Sequence, residues 1–199
     1  DRRVLEALRE PLESGSVSIS RVGLRAEYPA RFQLVAAMNP CPCGQLGESR
    51  HGCRCTPPQI ARYCSRISGP LLDRIDLRVA LHTEVRLAGA VTAPLPVDST
   101  AQWRERVCAA RRVQWQRGPR LNAALEIQEL GLAALTPAAQ RLLDRLREKM
   151  GLSLRAQHRL LRVARTVADL AGCARVDLPQ LAEAQQLRRA LEPDDVRKT

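Results

Sequence analysis

The sequence is poor in lysine, in aromatic residues and in long apolar runs. Lysine stands at only two of 199 positions, Lys149 and Lys198, and neither follows a glycine as the lysine of a P-loop does. The chain therefore contains no Walker A motif. Aromatic residues make up 3%, so a core must be built from aliphatic side chains. No apolar run has the length that spans a bilayer, and the charged opening segment does not resemble a signal peptide.

The residue in excess is arginine. Lysine and arginine together number 32, against 21 aspartates and glutamates, which gives a formal net charge of +11 at pH 7. A charge of this sign and size favours a polyanionic partner, most simply a nucleic acid or the phosphates of a nucleotide. Arginine binds phosphate through two parallel hydrogen bonds, so this composition suits such a partner.

The seven cysteines do not form the pattern of a secreted disulfide framework, and we expect a cytoplasmic protein. Four of them follow the spacing C-x-C-x9-C-x-C, with glycines between that permit turns. Four thiolates in a tetrahedral set suit a structural Zn²⁺. The alternatives are free thiols, or a site in which His51 replaces one thiol. The four candidate ligands are Cys41, Cys43, Cys53 and Cys55.

A short apolar segment, residues 32–38, ends at Asn39 and Pro40. Its length and its boundaries are typical of a buried strand in a parallel sheet, and a proline cannot continue the hydrogen-bond ladder. Asn39 would then lie at the carboxyl end of a strand, where open α/β sheets bind their ligands. The alternative is that Asn39 only begins a turn.

Hydrophobic periodicity predicts a β-hairpin over residues 16–30, another single strand over residues 75–81, and several helices. Arg21 and Arg25 fall near the tip of the hairpin. An irregular segment with two prolines, residues 84–98, separates the mixed part of the chain from a helical part. The predicted helices span residues 1–12, 57–65, 99–117, 136–150, 153–171 and 177–191, and residues 192–199 form a polar tail.

Three arginines of the helix predicted over residues 153–171 share one face. At 100° per residue, Arg155, Arg159 and Arg162 fall within a stripe about 60° wide, opposite the apolar face of the helix. Such a stripe could contact phosphates, or it could be an ordinary solvated surface.

Four segments of the sequence resemble one family. In chain order they are SVSISR with YPARFQLVAAMNPCPCG, then CRCTP, SRISGPLLDRIDL and LSLRAQHRLLRVARTVADLAG. They resemble the ComM (YifB) family of magnesium-chelatase-like AAA+ ATPases over nearly the whole chain. The resemblance covers only the C-terminal part of the family, so a Lon-protease-like domain and the Walker A and B motifs would lie upstream.

The resemblance implies an α/β fold in which residues 1–83 form the distal half of an AAA+ core. That half would contain a remnant of a parallel sheet, a pre-sensor-1 β-hairpin and a four-cysteine loop over residues 41–55. Residues 84–98 would be a linker, and residues 99–191 would form an all-α lid.

The resemblance also implies roles for single residues. Asn39 matches sensor 1, which orients the attacking water near the γ-phosphate of ATP. Arg74 matches the arginine finger that enters the ATP site of the neighbouring subunit, and Arg155 matches sensor 2 of the lid. Arg21 and Arg25 become candidate contacts to DNA phosphates. From the residues alone, Arg74 could equally form a local pair with an adjacent aspartate.

The function implied by the resemblance is that of a hexameric, ATP- and Mg²⁺-dependent motor. It would drive branch migration of single-stranded and branched DNA during natural transformation. Without a P-loop, the chain by itself should not hydrolyse ATP. Two alternatives remain open: a magnesium-chelatase-type ATPase for metal insertion, and a non-enzymatic, zinc-stabilised DNA-binding module.

Overall fold

The computed structural model describes residues 2–47, 52–81, 98–130 and 134–189. The chain divides into two compact units, the first running to Ile75 and the second beginning at Asp76. The tail predicted over residues 192–199, and all but the last residue of the linker predicted over 84–98, lie outside the described residues. Within the described ranges, no helix is both long enough and apolar enough to cross a membrane.

The first unit opens with two short helices, α1 (Arg2–Ala7) and α2 (Arg9–Ser14), where the sequence predicts one. The break follows from Pro11, which has no backbone N–H to donate to the carbonyl of Ala7 and whose ring crowds that carbonyl. The predicted stop is confirmed, because Gly15 has φ 72° and donates its N–H to the carbonyl of Pro11 at 3.0 Å.

The predicted β-hairpin is confirmed. Strands β1 (Ser16–Arg21) and β2 (Leu24–Pro29) pair antiparallel, with Arg21 opposite Leu24 at the tip. This register leaves a two-residue turn, and its second residue, Gly23, has φ 78°, a conformation that favours glycine. The hairpin therefore presents its turn at the end of a regular two-stranded ribbon.

The buried strand predicted over residues 32–38 and the strand predicted over residues 75–81 are not present in the structure. Both segments have no strand assignment, and Val35 and Leu81 are 85% and 91% exposed. A buried parallel strand needs hydrogen-bonded neighbours and helices that cover its faces. Among the described residues, the sheet structure consists of the antiparallel hairpin and one isolated parallel bridge in the second unit. The fold is therefore helical with one small two-stranded sheet.

Two helices complete the described part of the first unit: α3 (Pro57–Cys64) and α4 (Gly69–Leu72). A capping box starts α3, in which the side chains of Thr56 and Gln59 satisfy backbone N–H groups reciprocally. The hydroxyl of Ser68 accepts the N–H of Leu71 at 3.2 Å and so begins α4. The helix predicted over residues 57–65 is confirmed.

The second unit is helical, and the helices predicted over residues 99–117, 136–150 and 153–171 are confirmed to within one residue at each end. The helix predicted over residues 177–191 begins at Leu178, and its predicted end lies outside the described residues. Ser99 and Gln102 form the predicted capping box, and Gly151 is the predicted left-handed stop, at φ 60°. The elements are α5 (Thr100–Arg117), a 3₁₀ turn (Asn122–Ala124), α6 (Ile127–Leu130), α7 (Pro137–Met150), α8 (Leu154–Leu170) and α9 (Leu178–Arg189).

The core of the second unit forms around α8. Its apolar face buries Leu160, Leu161, Ala164 and Ala168 against side chains of the neighbouring helices, among them Leu143 of α7 and Leu181 of α9. By contrast, the first half of α5 is exposed, with Trp103 at 50% and Val107 at 48%. The second unit thus has a core of its own.

Candidate functional site

The four cysteines of the C-x-C-x9-C-x-C segment converge. The Sγ atom of Cys41 lies 3.3 Å from that of Cys43 and 3.6 Å from that of Cys53. The Sγ atoms of Cys43 and Cys53 are 3.6 Å apart, and all four Sγ atoms, including that of Cys55, lie within 4.8 Å of one another. The sequence predicts this grouping, and the group could hold a metal ion.

The sulfur positions fit a tetrahedral thiolate site. A Zn–S bond of about 2.3 Å places the sulfur atoms of a regular tetrahedron about 3.8 Å apart, close to the observed separations. Backbone groups support the thiolates: the N–H of Cys55 donates to Sγ of Cys53 at 3.4 Å. Such N–H donors stabilise negative charge on sulfur. A soft divalent cation with four sulfur ligands is the chemistry that this set suits.

The thiols of the cluster differ in acidity. The backbone N–H of Gln45 and the neighbouring thiol of Cys41 lower the pKa of Cys43 to about 6. The N–H of Cys55 lowers the pKa of Cys53, but burial and the adjacent thiols outweigh it, and this pKa is raised to about 12. Thiolate is the form that binds a metal, so Cys43 is the more readily deprotonated of these two ligands, and Cys53 would lose its proton on binding.

Asn39, the candidate sensor, is exposed and lies immediately before the cysteine loop. It follows the exposed apolar segment, residues 32–38, rather than a paired strand. Its side chain faces the turn at Gly44, where a Cβ atom would lie 3.6 Å from Nδ2 of Asn39. The structure therefore places Asn39 against the four-cysteine segment.

Arg74, the candidate finger, is bound within its own unit. Its Nε donates to the carbonyl of Arg9 at 3.1 Å, its Nη1 donates to the carbonyl of Pro70 at 2.7 Å, and its Nη2 forms an ion pair with Glu13. The side chain is 13% exposed. The residues suggest an aspartate partner beside Arg74, whereas the observed acid is Glu13. A groove of about 510 Å³ beside Arg74 is lined by three glutamates and two arginines, so its charges largely offset one another.

The hairpin arginines stand at an exposed tip. Arg21 and Arg25 are both exposed, as are Val22 of the turn, at 107%, and Leu24 at the start of β2, at 68%. A two-residue turn with basic residues on both sides is a shape that can enter a groove or follow a phosphate backbone.

The arginine stripe of α8 is neither a plain solvated face nor a uniform phosphate surface. Arg159 donates from Nε to Asp76 at 2.5 Å and is 12% exposed, and Arg162 donates from Nε to the carbonyl of Leu125 at 2.8 Å. Both therefore hold the second unit together. Arg155, the candidate sensor 2, lies exposed in the first turn of α8 and belongs to the second unit.

The sequence analysis missed a buried polar network in the second unit. Asp169, whose side chain is 0% exposed, accepts hydrogen bonds from Arg165 at 2.9 and 3.1 Å and from Nδ2 of Asn122 at 2.7 Å. Arg117 at the end of α5 forms a further ion pair with Asp169. The signal in the sequence is an arginine and an aspartate four residues apart on the apolar face of a helix. The network joins α5, the 3₁₀ turn and α8.

Two protein-family models match the chain. The first, described as magnesium chelatase, subunit ChlI, matches residues 1–87, and the second, described as magnesium chelatase, subunit ChlI C-terminal, matches residues 97–188. Together they cover both units.

The chain is also similar to longer bacterial proteins. It is 44% identical to the competence protein ComM of Haemophilus influenzae over 92% of its length, and 43% identical to the uncharacterised protein YifB of Escherichia coli over 94%. An uncharacterised protein of Mycobacterium tuberculosis is 41% identical over 93%. The chain spans slightly more than a third of these relatives, 36% of ComM and 37% of the other two.

Proposed function

The chain belongs to the magnesium-chelatase-like family that includes ComM and YifB and corresponds to its C-terminal part, and from this premise we propose that it works as part of an ATP-driven AAA+ DNA motor. The motor would be a hexameric ring that moves branch points in DNA during natural transformation. The observation that supports the DNA partner most directly is the exposed basic tip of the hairpin, together with the net charge of +11.

The hairpin would contact DNA through its two tip arginines. Arg21 and Arg25 are both exposed beside the two-residue turn. Arg21 is paired with Leu24 and Arg25 with Ser20, so the two side chains leave opposite faces of the ribbon, and each would contact its own phosphate. Such contacts are independent of base sequence, which a motor that moves along DNA requires.

Three further residues would serve ATP turnover. Asn39 would orient the attacking water, and Arg155 would contact the nucleotide phosphates from the lid. Arg74 would stabilise the charge that develops on the transferred phosphoryl group in the neighbouring subunit's site. ATP and Mg²⁺ would supply the phosphoryl group and the charge compensation. The exposed segments 32–38 and 75–81 would then be strands that pair with other strands of the AAA+ core.

The finger role requires a change at Arg74. In this structure the guanidinium group is bound to Glu13 and to two carbonyl oxygens, so it must leave Glu13 to reach a phosphate in another subunit. Because Glu13 is 43% exposed, water can replace the arginine at modest cost. We therefore expect the pair with Glu13 to be a resting state of the finger.

The four cysteines would hold a structural Zn²⁺. The sulfur separations and the N–H donors described above fit that ion, and the loop has little apolar packing to order it otherwise. In this role the metal would order the segment between Asn39 and α3 without taking part in ATP turnover.

Salt-dependent DNA binding tests the proposed DNA contact directly. The slope of log affinity against log salt should fall by about 1 for each phosphate that the protein no longer binds, so Arg21→Ala and Arg25→Ala should each reduce it by that amount. Fluorescence anisotropy with a single-stranded and a branched oligonucleotide would measure it. Arg145→Ala, on the exposed face of α7, removes the same charge away from the hairpin and should leave the slope nearly unchanged. Equal slopes for all three variants would refute the hairpin contact.

The magnesium chelatase family favours a second candidate, a magnesium-chelatase-type ATPase that inserts a metal ion. That function predicts no affinity for DNA beyond weak, non-specific binding. It also predicts that ATP turnover responds to a porphyrin-binding partner. A steep salt slope that depends on the hairpin would favour the DNA motor.

A further inference from the structure

Asn39 is joined to the four-cysteine cluster through one residue, Pro40. The ring of Pro40 fixes its φ angle and restricts Asn39 to extended conformations. The next residue, Cys41, is 0% exposed and is the buried ligand of the cluster. The position of Cys41 therefore restricts the backbone positions that Asn39 can take.

The turn after Cys41 brings Gly44 close to the side chain of Asn39. The N–H of Gly44 donates to the carbonyl of Cys41 at 3.0 Å, and Gly44 has φ 79°. A Cβ atom on Gly44 would lie 3.6 Å from Nδ2 and 3.7 Å from Cγ of Asn39, which is ordinary van der Waals contact. The carboxamide of Asn39 thus lies beside Gly44, at the position that a side chain on this residue would touch.

The order of this turn depends on its sulfur atoms. Among the described residues between positions 41 and 55, Cys41 alone is buried. Apolar packing therefore contributes little to the conformation of the loop. A cation that joins the four thiolates would supply that order, because binding replaces the repulsion between the thiolates by four metal–sulfur bonds.

We propose that metal binding by Cys41, Cys43, Cys53 and Cys55 fixes the orientation of the Asn39 carboxamide. The cluster is then a positioning element of the nucleotide site, and loss of the metal would release Asn39 without removing it. This inference rests on the proposed function, in which Asn39 orients water at the γ-phosphate.

The composition of the chain offers a direct test, because it contains only two asparagines, Asn39 and Asn122. Selective ¹⁵N-asparagine labelling of the 199-residue chain gives two side-chain amide pairs. Asn122 is 2% exposed in the second unit, where its Nδ2 donates to Asp169 at 2.7 Å, so its signals serve as an internal control. Spectra would be recorded with Zn²⁺ bound, after a chelator, and after Zn²⁺ is returned, with the bound metal measured at each step.

The expected result is one equivalent of Zn²⁺ and a reversible change confined to Asn39. On metal removal the Asn39 amide pair should move by more than a line width toward the shifts of a free asparagine, while the Asn122 pair stays in place. The inference is overturned if the chain binds no Zn²⁺, if Asn39 does not respond to its removal, or if Asn122 responds equally.

Two glycine variants distinguish a direct effect on the Asn39 side chain from a general effect on the folding of the loop. Gly44→Ala and Gly47→Ala carry a similar backbone penalty, since these residues have φ 79° and 88°. Only the methyl group at position 44 would touch Asn39, because nothing lies within 4 Å of a Cβ at Gly47. Gly44→Ala should displace the Asn39 amide signals with Zn²⁺ retained, and Gly47→Ala should not. Equal displacement in both variants would contradict the proposal.

These spectra need neither ATP nor DNA. A failure of the metal response would overturn the positioning role of the cluster alone. A failure of the proposed function would appear instead as unchanged ATP turnover in an Asn39→Ala variant of an active ring.

Discussion

Two arginine–carboxylate pairs in this chain differ in burial, and so in what they can do. Arg165 and Asp169 are 4% and 0% exposed and sit in a network that satisfies both. Arg74 and Glu13 are 13% and 43% exposed, at the edge of a groove. Separating a buried pair costs several kcal/mol, whereas an exposed pair contributes about 0–1 kcal/mol. The first pair is therefore structural, and the second can exchange partners.

We expect Asp169→Ala to destabilise the second unit by about 3–5 kcal/mol, because it leaves the Arg165 guanidinium buried without its carboxylate. Urea unfolding followed by far-UV circular dichroism would measure this loss. Asp98→Ala removes an exposed pair with Arg106, whose atoms lie 3.2 Å apart, and should cost less than about 1 kcal/mol. A loss as small for Asp169 as for Asp98 would mean that water enters the network.

From the finger role proposed for Arg74, we expect Arg74→Ala to abolish ATP turnover while leaving ATP binding nearly intact, because a finger acts on the transition state of the neighbouring site. The expected loss in turnover is about 10³-fold or more. The measurement needs the whole proposed motor, so we would place this chain in the longer ComM of Haemophilus influenzae in place of the segment that it matches. Glu13→Ala breaks the same ion pair but keeps the arginine, and it should retain turnover. An equal loss of ATP binding and turnover would contradict the finger role.

At the level of elements, the sequence predicts local structure well and pairing poorly. Helix ends follow from local signals: Ser99 with Gln102 begins α5, and Gly151 ends α7. The hairpin is also local, because its two strands are separated by only two residues. Residues 32–38 have the pattern of a buried strand, yet a strand forms only where a partner strand lies beside it.

The candidate site shows the same limit. The convergence of the four cysteines could be predicted because they lie between positions 41 and 55, in one short segment with glycines that permit turns. The partner of Arg74 could not, since Glu13 lies 61 residues away along the chain. Likewise, Arg159 and Arg162 look like surface residues in a helical wheel. Their partners, Asp76 and the carbonyl of Leu125, come from distant segments.

The caps of α5 and α8 should differ in their effect on stability. Each side-chain cap is worth about 1 kcal/mol. Ser153 caps α8, which runs through the core, so Ser153→Ala should lower the free energy of unfolding by about that amount. Ser99 caps the exposed half of α5, so Ser99→Ala should fray the first turns and leave global unfolding nearly unchanged. Hydrogen exchange and urea unfolding would measure both. Equal losses of global stability would show that the start of α5 is packed in solution.

On the scale of the whole molecule, the two units differ in how their order is maintained. The second unit has a continuous apolar core of leucine, alanine and valine side chains. In the described part of the first unit, the buried residues are Pro11, Cys41 and Leu71. The first unit therefore depends on short-range hydrogen bonds, ion pairs and the cysteine cluster, whereas the second is stabilised by the hydrophobic effect.

Removal of the proposed Zn²⁺ should consequently act on one unit only. After addition of a chelator, we expect faster hydrogen exchange in residues 41–47 and in α3, with unchanged protection in α7, α8 and α9. Mass spectrometry of exchanged peptides would resolve the two units. A matched sample with Cys64→Ser, a cysteine outside the cluster, should respond in the same way. Equal loss of protection in α8 would contradict independent stabilisation of the second unit.

The capping boxes of α3 and α5 have glutamine, not glutamate, at their third position, Gln59 and Gln102. The side-chain oxygen of either residue type can accept the same N–H, and a carboxylate adds a favourable interaction with the positive end of the helix. Spontaneous deamidation, which converts glutamine to glutamate as a protein ages, would therefore strengthen these two helix starts. At these positions chemical ageing would preserve the fold.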